Sequence, residues 1–118
     1  MNITPAEIMQ GLEFNNRLLT QKNEEYATLA ERKAQAEKDY KIMVREQILR
    51  HKSDGHPATL IPKLVDGHKM VAELKFKYDI ATEIHKACIE SIKDVRSRID
   101  TYRSLLSWLK AEMTGGIS

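Results

Sequence analysis

Apolar residues recur along the second half of the chain, from Leu60 to Met113, at alternating intervals of three and four residues. Counted as a heptad with Leu64 at position a, fourteen of the sixteen a and d positions are apolar, whereas the 42% hydrophobic content alone predicts about seven. A strict seven-residue period predicts a long helix that packs against another helix in a left-handed supercoil. The seam of this helix consists of Leu60, Leu64, Gly67, Val71, Leu74, Tyr78, Ala81, His85, Cys88, Ile92, Val95, Ile99, Tyr102, Leu106, Leu109 and Met113.

The first half of the chain predicts the partner helix. Thr4 is placed to cap a helix whose first residue is Pro5. Gly55 can adopt the left-handed conformation that ends a helix, and Pro57 prevents its continuation. Between these signals the sequence is rich in residues that favour helix, so we expect one uninterrupted helix.

The second helix has weaker boundary signals. Thr59 is a candidate cap, Gly67 is expected to kink the helix, and Gly115-Gly116 is expected to end it. Two long helices joined by a short turn are expected to fold back antiparallel. The predicted fold is therefore all-α, a long antiparallel two-helix hairpin of coiled-coil type. It forms a single domain over residues 1–118, with a helix over about 5–52, a turn over about 53–59 and a helix over about 60–113.

A poorer seam with the same period runs along the first helix. If the chain reverses at Pro57, opposed residues should have numbers that sum to about 114. The predicted pairs are Ile8 with Leu106, Leu12 with Tyr102, Leu19 with Val95, Tyr26 with Cys88, Ala36 with Tyr78, and Met43 with Val71.

Large apolar residues also lie outside the seam. One hairpin buries only a narrow stripe, so we expect these residues to be covered by a second copy of the chain in a dimeric four-helix bundle. Docking on a different protein and simple surface exposure are the alternatives. The candidate interface residues are Phe14, Ile42, Phe76, Ile80, Ile84, Ile89 and Trp108.

Catalytic and metal chemistry find little support in the sequence. His85 and Cys88 have a spacing that fits one edge of a metal site, but the opposing helix supplies no further ligand, and a buried histidine in a seam more often restricts register and oligomeric state. His51, His56 and His68 flank the turn and could approach one another as a three-histidine cluster if the kink at Gly67 folds that way, but loop histidines are usually solvated, and we expect these to be. We therefore expect no catalytic residues, no metal, no cofactor and no small-molecule substrate, and we expect the chain not to be an enzyme.

The charges are nearly balanced, with 19 basic and 17 acidic residues and a net charge of +2. Acidic residues are interleaved with basic ones on the second helix, so direct nucleic-acid binding is expected to be weak and sensitive to salt. The candidate contacts for nucleic acid lie at one heptad position, e, and are Lys75, Arg96, Arg103 and Lys110.

No apolar run approaches the roughly 20 residues that a membrane span needs, and the chain does not begin like a signal peptide. The single cysteine, Cys88, has no partner for an internal disulfide, which suits a reducing compartment. We therefore expect a cytoplasmic protein that does not enter the membrane.

Three short sequence segments in the turn and second helix carry a resemblance to known proteins: Ala58-Thr59-Leu60-Ile61, Val71-Ala72-Glu73-Leu74 and Asp79-Ile80-Ala81. Over about residues 57–110, the chain resembles small uncharacterised helical proteins encoded in the early recombination and replication modules of temperate bacteriophages. The resemblance implies a bacterial host cytoplasm and a phage-encoded accessory role, but it transfers no site residues.

The expected function is a coiled-coil interaction module that assists DNA recombination or replication by binding a protein of that machinery. The alternatives are a counter-defence inhibitor of a host enzyme, similar to an anti-CRISPR protein, and a virion assembly or scaffolding protein. Exposed helical faces serve all three roles.

Overall fold

A computed structural model describes residues 3–115, and all regular secondary structure within that range is α-helical. Helix α1 spans Pro5–Ser53, α2 spans Ile61–Asp66 and α3 spans Lys69–Gly115. The predicted all-α helical hairpin is confirmed, with α1 and α3 as its two long helices. Gly116, part of the predicted stop signal, lies outside the described residues.

Tertiary contacts divide the chain into two compact units, each containing a segment of α1 and a segment of α3. The terminal unit contains residues 3–26 and 87–115 of the described chain, and the turn unit contains residues 27–86, including α2. The single-domain assignment remains a prediction.

The start of α1 follows the sequence signals. The Thr4 hydroxyl oxygen accepts a hydrogen bond of 3.2 Å from the backbone N–H of Glu7, which confirms the predicted cap. One residue further on, Ile8 donates its N–H to the Thr4 carbonyl at 3.1 Å, and its side chain is fully buried. The cap therefore fixes the first apolar contact of the terminal unit.

The end of α1 is a Schellman motif centred on Gly55, which has a φ of 82°. The Gly55 N–H donates to the carbonyl of Lys52, and the His56 N–H donates to the carbonyl of His51, each at 3.1 Å. The prediction that Gly55 ends the first helix is confirmed. This pair of hydrogen bonds also brings the third-last helical position beside the residue after Gly55.

The second helical segment differs from the prediction because it is broken into two helices. α2 begins after Leu60 without a side-chain cap, so the predicted cap at Thr59 is wrong. At the other end, α2 ends at Asp66 and α3 begins at Lys69, directly after His68. The His68 ring Nδ1 accepts a hydrogen bond of 3.2 Å from the backbone N–H of Met70, which stabilises the new helix start and turns the expected kink into a full break.

The break changes which residues of α2 are buried. Ile61 and Val65 are buried and Leu64 is half-buried, whereas Leu60 and Gly67 are exposed. The predicted seam is therefore wrong at Leu60 and Gly67, because a separate helix need not keep the heptad phase of α3. The α2 residues form a small core with Val71, and the α1 residues packed against it are Tyr40, Met43, Val44 and Ile48.

Beyond the break, the predicted seam of α3 agrees with the observed burial until its last position. Met113 is exposed, so the seam ends before it. Thirteen of the sixteen predicted seam residues are buried or half-buried: Leu64, Val71, Leu74, Tyr78, Ala81, His85, Cys88, Ile92, Val95, Ile99, Tyr102, Leu106 and Leu109.

Contacts within each unit lie within about one helical turn of the predicted antiparallel register. In the terminal unit, the Tyr102 ring lies against Gly11, and the Cys88 thiol lies 3.7 Å from the carbonyl oxygen of Lys22. In the turn unit, the rings of Tyr40 and Tyr78 stack with centroids 6.1 Å apart. The residue numbers of these pairs sum to 113, 110 and 118, on both sides of the predicted 114, so no systematic displacement by a heptad has occurred.

We predict that Gly11→Ala destabilises the protein even though alanine favours helix by about 1 kcal/mol over glycine. A Cβ at position 11 would lie 2.6 Å and 2.8 Å from the Cε1 and Cε2 atoms of Tyr102, so the ring must move. We expect the free energy of unfolding, measured with urea, to fall by about 1–3 kcal/mol. In a Tyr102→Ala background the same change should stabilise the protein by up to about 1 kcal/mol. Stabilisation in both backgrounds would refute the close contact.

The burial of α2 gives a second prediction. Ile61→Ala should lower the free energy of unfolding by about 2–4 kcal/mol, because it empties part of a closed core. The matched change Leu60→Ala removes an exposed side chain and should cost less than about 1 kcal/mol. Chemical denaturation of both variants measures the difference, and a larger loss for Leu60→Ala would favour the heptad phase read from the sequence.

Candidate interaction surfaces and the turn cluster

The turn unit carries an exposed apolar row on α3. Phe76, Ile80 and Ile84 are 63%, 43% and 48% exposed. Because they are spaced at intervals of four residues, they lie along one face of the helix, outside its buried seam. We call these three residues the α3 row.

A groove lies beside the first residue of the α3 row. It has a volume of about 330 Å³, and Phe76 forms part of its wall. Lys75 and Asp79, which have opposite charges, also contribute to it. The remaining lining residues come from all three helices of the turn unit and are Tyr40, Asp66, Val71 and Ala72.

The other candidate interface residues are distributed over both units. Phe14 and Trp108 are exposed in the terminal unit, and Ile42 is exposed on the α1 segment of the turn unit. Ile89 is only half-buried and lines a terminal-unit groove of about 290 Å³ together with Tyr26 and Arg96. The structure therefore leaves most of the predicted interface residues accessible within a single chain.

A larger groove in the terminal unit has a volume of about 650 Å³. Its wall includes Arg17, which forms an ion pair with Glu13 one turn away on α1, and Arg103 from α3. The remaining wall is mixed in character and consists of Met9, Leu12, Asn16 and Thr20.

The four basic residues predicted to contact nucleic acid are Lys75, Arg96, Arg103 and Lys110, and all are exposed. Within residues 3–115, none of them forms an ion pair, so their charges are available to a partner. Spacings of seven residues place Arg96, Arg103 and Lys110 on one side of α3 in the terminal unit. Binding of nucleic acid by these residues stays a prediction.

An exposed ion pair on α1 joins Glu37 and Lys41. The Lys41 ammonium hydrogen-bonds to the Glu37 carboxylate at 2.7 Å and lowers the pKa of that carboxyl. The same contact raises the pKa of Lys41. Because the pair is open to solvent, it adds little to stability.

Polar residues occupy buried or half-buried positions in both seams. His85 is half-buried at its seam position, as the sequence predicted. Asn15 on α1 is only 4% exposed, and its side-chain Nδ2 donates to the Gly11 carbonyl at 2.8 Å. Its side-chain Oδ1 has no hydrogen-bond partner among the described residues. Asn15 lies three residues after Leu12 and four before Leu19, so the heptad period places it in the α1 seam, but the period does not reveal this buried, half-satisfied amide.

A cluster of metal-ligating side chains lies at the end of α1. The side chains of His51, Asp54 and His56 each bring one ligand atom within 4.8 Å of the others, and the two imidazole rings meet edge to face with centroids 5.2 Å apart. We call these three residues the turn cluster. His68 is not part of it, because its ring caps α3. The expectation that the turn histidines are simply solvated is wrong for His51 and His68, which are both half-buried.

Spacing around Gly55 is the sequence signal for this cluster. A Schellman motif brings together the residues four before and one after its left-handed glycine. Those positions are His51 and His56, so the predicted role of Gly55 already implied that the two rings meet.

Comparisons with known proteins return no match: the chain fits no family model, and no curated protein or solved structure is significantly similar to it. Among residues 3–115, no helix combines the length and the hydrophobicity that a bilayer-spanning segment requires.

We predict that Asn15→Leu raises the free energy of unfolding by about 1–2 kcal/mol, because it removes a buried oxygen without a partner from an apolar seam. Asn16→Leu is the matched control: Asn16 is exposed, so its replacement should change stability by less than about 0.5 kcal/mol. Urea denaturation compares the two. Destabilisation by Asn15→Leu alone would mean that the amide makes a net favourable contribution where it lies.

Proposed function

We propose that this protein is a non-enzymatic interaction module whose turn unit associates with a second copy of itself through the α3 row. The observation that carries the proposal is the regular exposure of three large apolar side chains on one helix face. Burying side chains of this size is worth roughly 1.5–3 kcal/mol each, so a continuous row of them favours association.

The arrangement of the α3 row favours a second copy as its partner. A two-fold axis through Ile80 pairs Phe76 of one copy with Ile84 of the other, because antiparallel packing reverses the order of residues. The groove next to Phe76 provides space in the same surface for a large side chain of a partner. One surface therefore offers both projecting and receiving features, as a two-fold interface requires.

The biological setting is proposed from the resemblance to phage proteins. It supports a phage-encoded accessory factor of DNA recombination or replication, acting in the bacterial cytoplasm. The exposed Phe14 and Trp108 of the terminal unit support a further protein partner, because they are not part of the α3 row. The roles in counter-defence and in virion assembly use the same exposed faces and remain the alternatives.

Analytical ultracentrifugation tests self-association. We expect the wild-type chain to dimerise and the triple variant Phe76→Ser/Ile80→Ser/Ile84→Ser to dissociate at least tenfold more readily, since three apolar anchors are lost. Helical content, measured by circular dichroism, should not change because these side chains lie outside the seam.

A double variant provides the matched control. Glu90→Ser/Lys93→Ser removes both partners of an exposed 3.3 Å ion pair in the terminal unit and should leave the dimer intact. A wild-type chain that is monomeric at its highest soluble concentration would contradict self-association. A dimer unaffected by the triple change would place the interface elsewhere.

Cross-linking tests the position of the two-fold axis. In a Cys88→Ser background, Ile80→Cys should form an intermolecular disulfide under mild oxidation, because the two copies of a residue on the axis face each other. Ser97→Cys, an exposed position in the terminal unit, should cross-link far more slowly. Equal rates at both positions would exclude an axis through Ile80.

A further inference from the structure

We propose that the turn cluster, His51, Asp54 and His56, binds a divalent transition-metal ion of the zinc class. The proposal concerns only the turn unit and does not depend on self-association. Two features carry it: a backbone motif that holds the ligands together, and a half-buried imidazole whose nitrogens lack partners.

The backbone motif fixes the positions of the three residues. The left-handed Gly55 closes the last turn of α1, and the His56 N–H donates to the His51 carbonyl, so the two histidine side chains leave the chain side by side. This pair of positions in a Schellman motif frequently holds a contact between two apolar residues. Here the contact is made by two imidazoles, and Asp54 lies between them in sequence.

The environment of His51 points to a missing ligand. Both of its ring nitrogens are buried, and neither has a hydrogen-bond partner among the described residues. An imidazole has a donor and an acceptor in its neutral form, and burying both without partners costs free energy. A metal ion bound by one nitrogen supplies the interaction that the protein does not.

The ligand set selects the class of metal. Two imidazoles and one carboxylate suit Zn²⁺, Co²⁺ and similar ions, whereas Mg²⁺ prefers oxygen ligands. With bonds of about 2.0–2.2 Å, the ligand atoms around Zn²⁺ lie roughly 3.3 Å apart. The present separations, up to 4.8 Å, would close to that value by rotation of the exposed side chains of Asp54 and His56.

The location also favours a cation. The cluster lies at the C-terminal end of α1, which is the negative pole of the helix dipole. Three protein ligands leave at least one coordination position for water, so the ion would remain accessible from solvent.

Isothermal titration calorimetry with Zn²⁺ tests the proposal on chelator-treated, full-length protein without a histidine tag. We expect one Zn²⁺ per chain, a higher melting temperature in the presence of Zn²⁺, and no comparable effect of Mg²⁺. Absorption spectra with Co²⁺ should show the bands of nitrogen and oxygen ligation without a thiolate band, because Cys88 is buried elsewhere.

Two histidine variants form a matched pair. His56→Gln changes an exposed residue outside the helix, so the apo protein should keep its helical content while the heat of Zn²⁺ binding is lost. His68→Asn keeps a side-chain oxygen that can cap α3 and should bind Zn²⁺ as the wild type does.

Three results would overturn the proposal. The first is the absence of Zn²⁺ binding to the wild-type chain. The second is unchanged binding by His56→Gln, and the third is loss of binding by His68→Asn with its helical content intact.

Discussion

The structure depends on the burial of one narrow apolar seam on α3 against α1 in each unit. Isolated helices gain little from their own hydrogen bonds, and most helical stability in proteins comes from packing an apolar face. Val71 in the turn unit and Val95 in the terminal unit are almost completely buried in this way. A substitution that widens the seam at one layer therefore weakens the helices themselves, not only a contact between them.

The same constraint explains why so much apolar surface remains exposed. A pair of helices covers one stripe on each, whereas a third element is needed to cover a second face. In the turn unit α2 provides such an element for the side of α1 that contains Val44 and Ile48. No described residue covers the α3 row in that way. The exposed apolar surface of α3 is thus a consequence of an architecture with few layers.

Long-range periodicity made most of the fold predictable. From Val71 to Leu109 the heptad rule assigned the buried face of α3, because a continuous helix keeps its phase over many turns. The rule failed at Leu60 and Gly67, because the His68 ring caps a new helix after Gly67 and α2 is a separate helix with its own phase. Neither helix propensity nor the heptad period predicts that the ring nitrogen of His68 caps a helix.

The candidate sites were less predictable than the seam. The α3 row was recognised because its residues are apolar and lie off the seam, although its partner depends on surfaces that periodicity does not describe. The turn cluster was predicted only in part: the sequence suggested His51, His56 and His68 as a cluster, whereas at the turn that Gly55 makes the third residue is Asp54. Asp54 lies near the two histidines only because of that turn, and no periodic spacing in the sequence predicts its place in the cluster.

The buried thiol of Cys88 has a practical consequence. It is the only thiol in the chain, it belongs to the terminal unit, and its Sγ lies against the Lys22 carbonyl. An alkylating reagent can reach it only when that unit opens, because the native packing excludes solvent from the sulfur. The rate at which Cys88 is alkylated in native buffer therefore reports how often the terminal unit opens locally. The measurement needs no introduced probe.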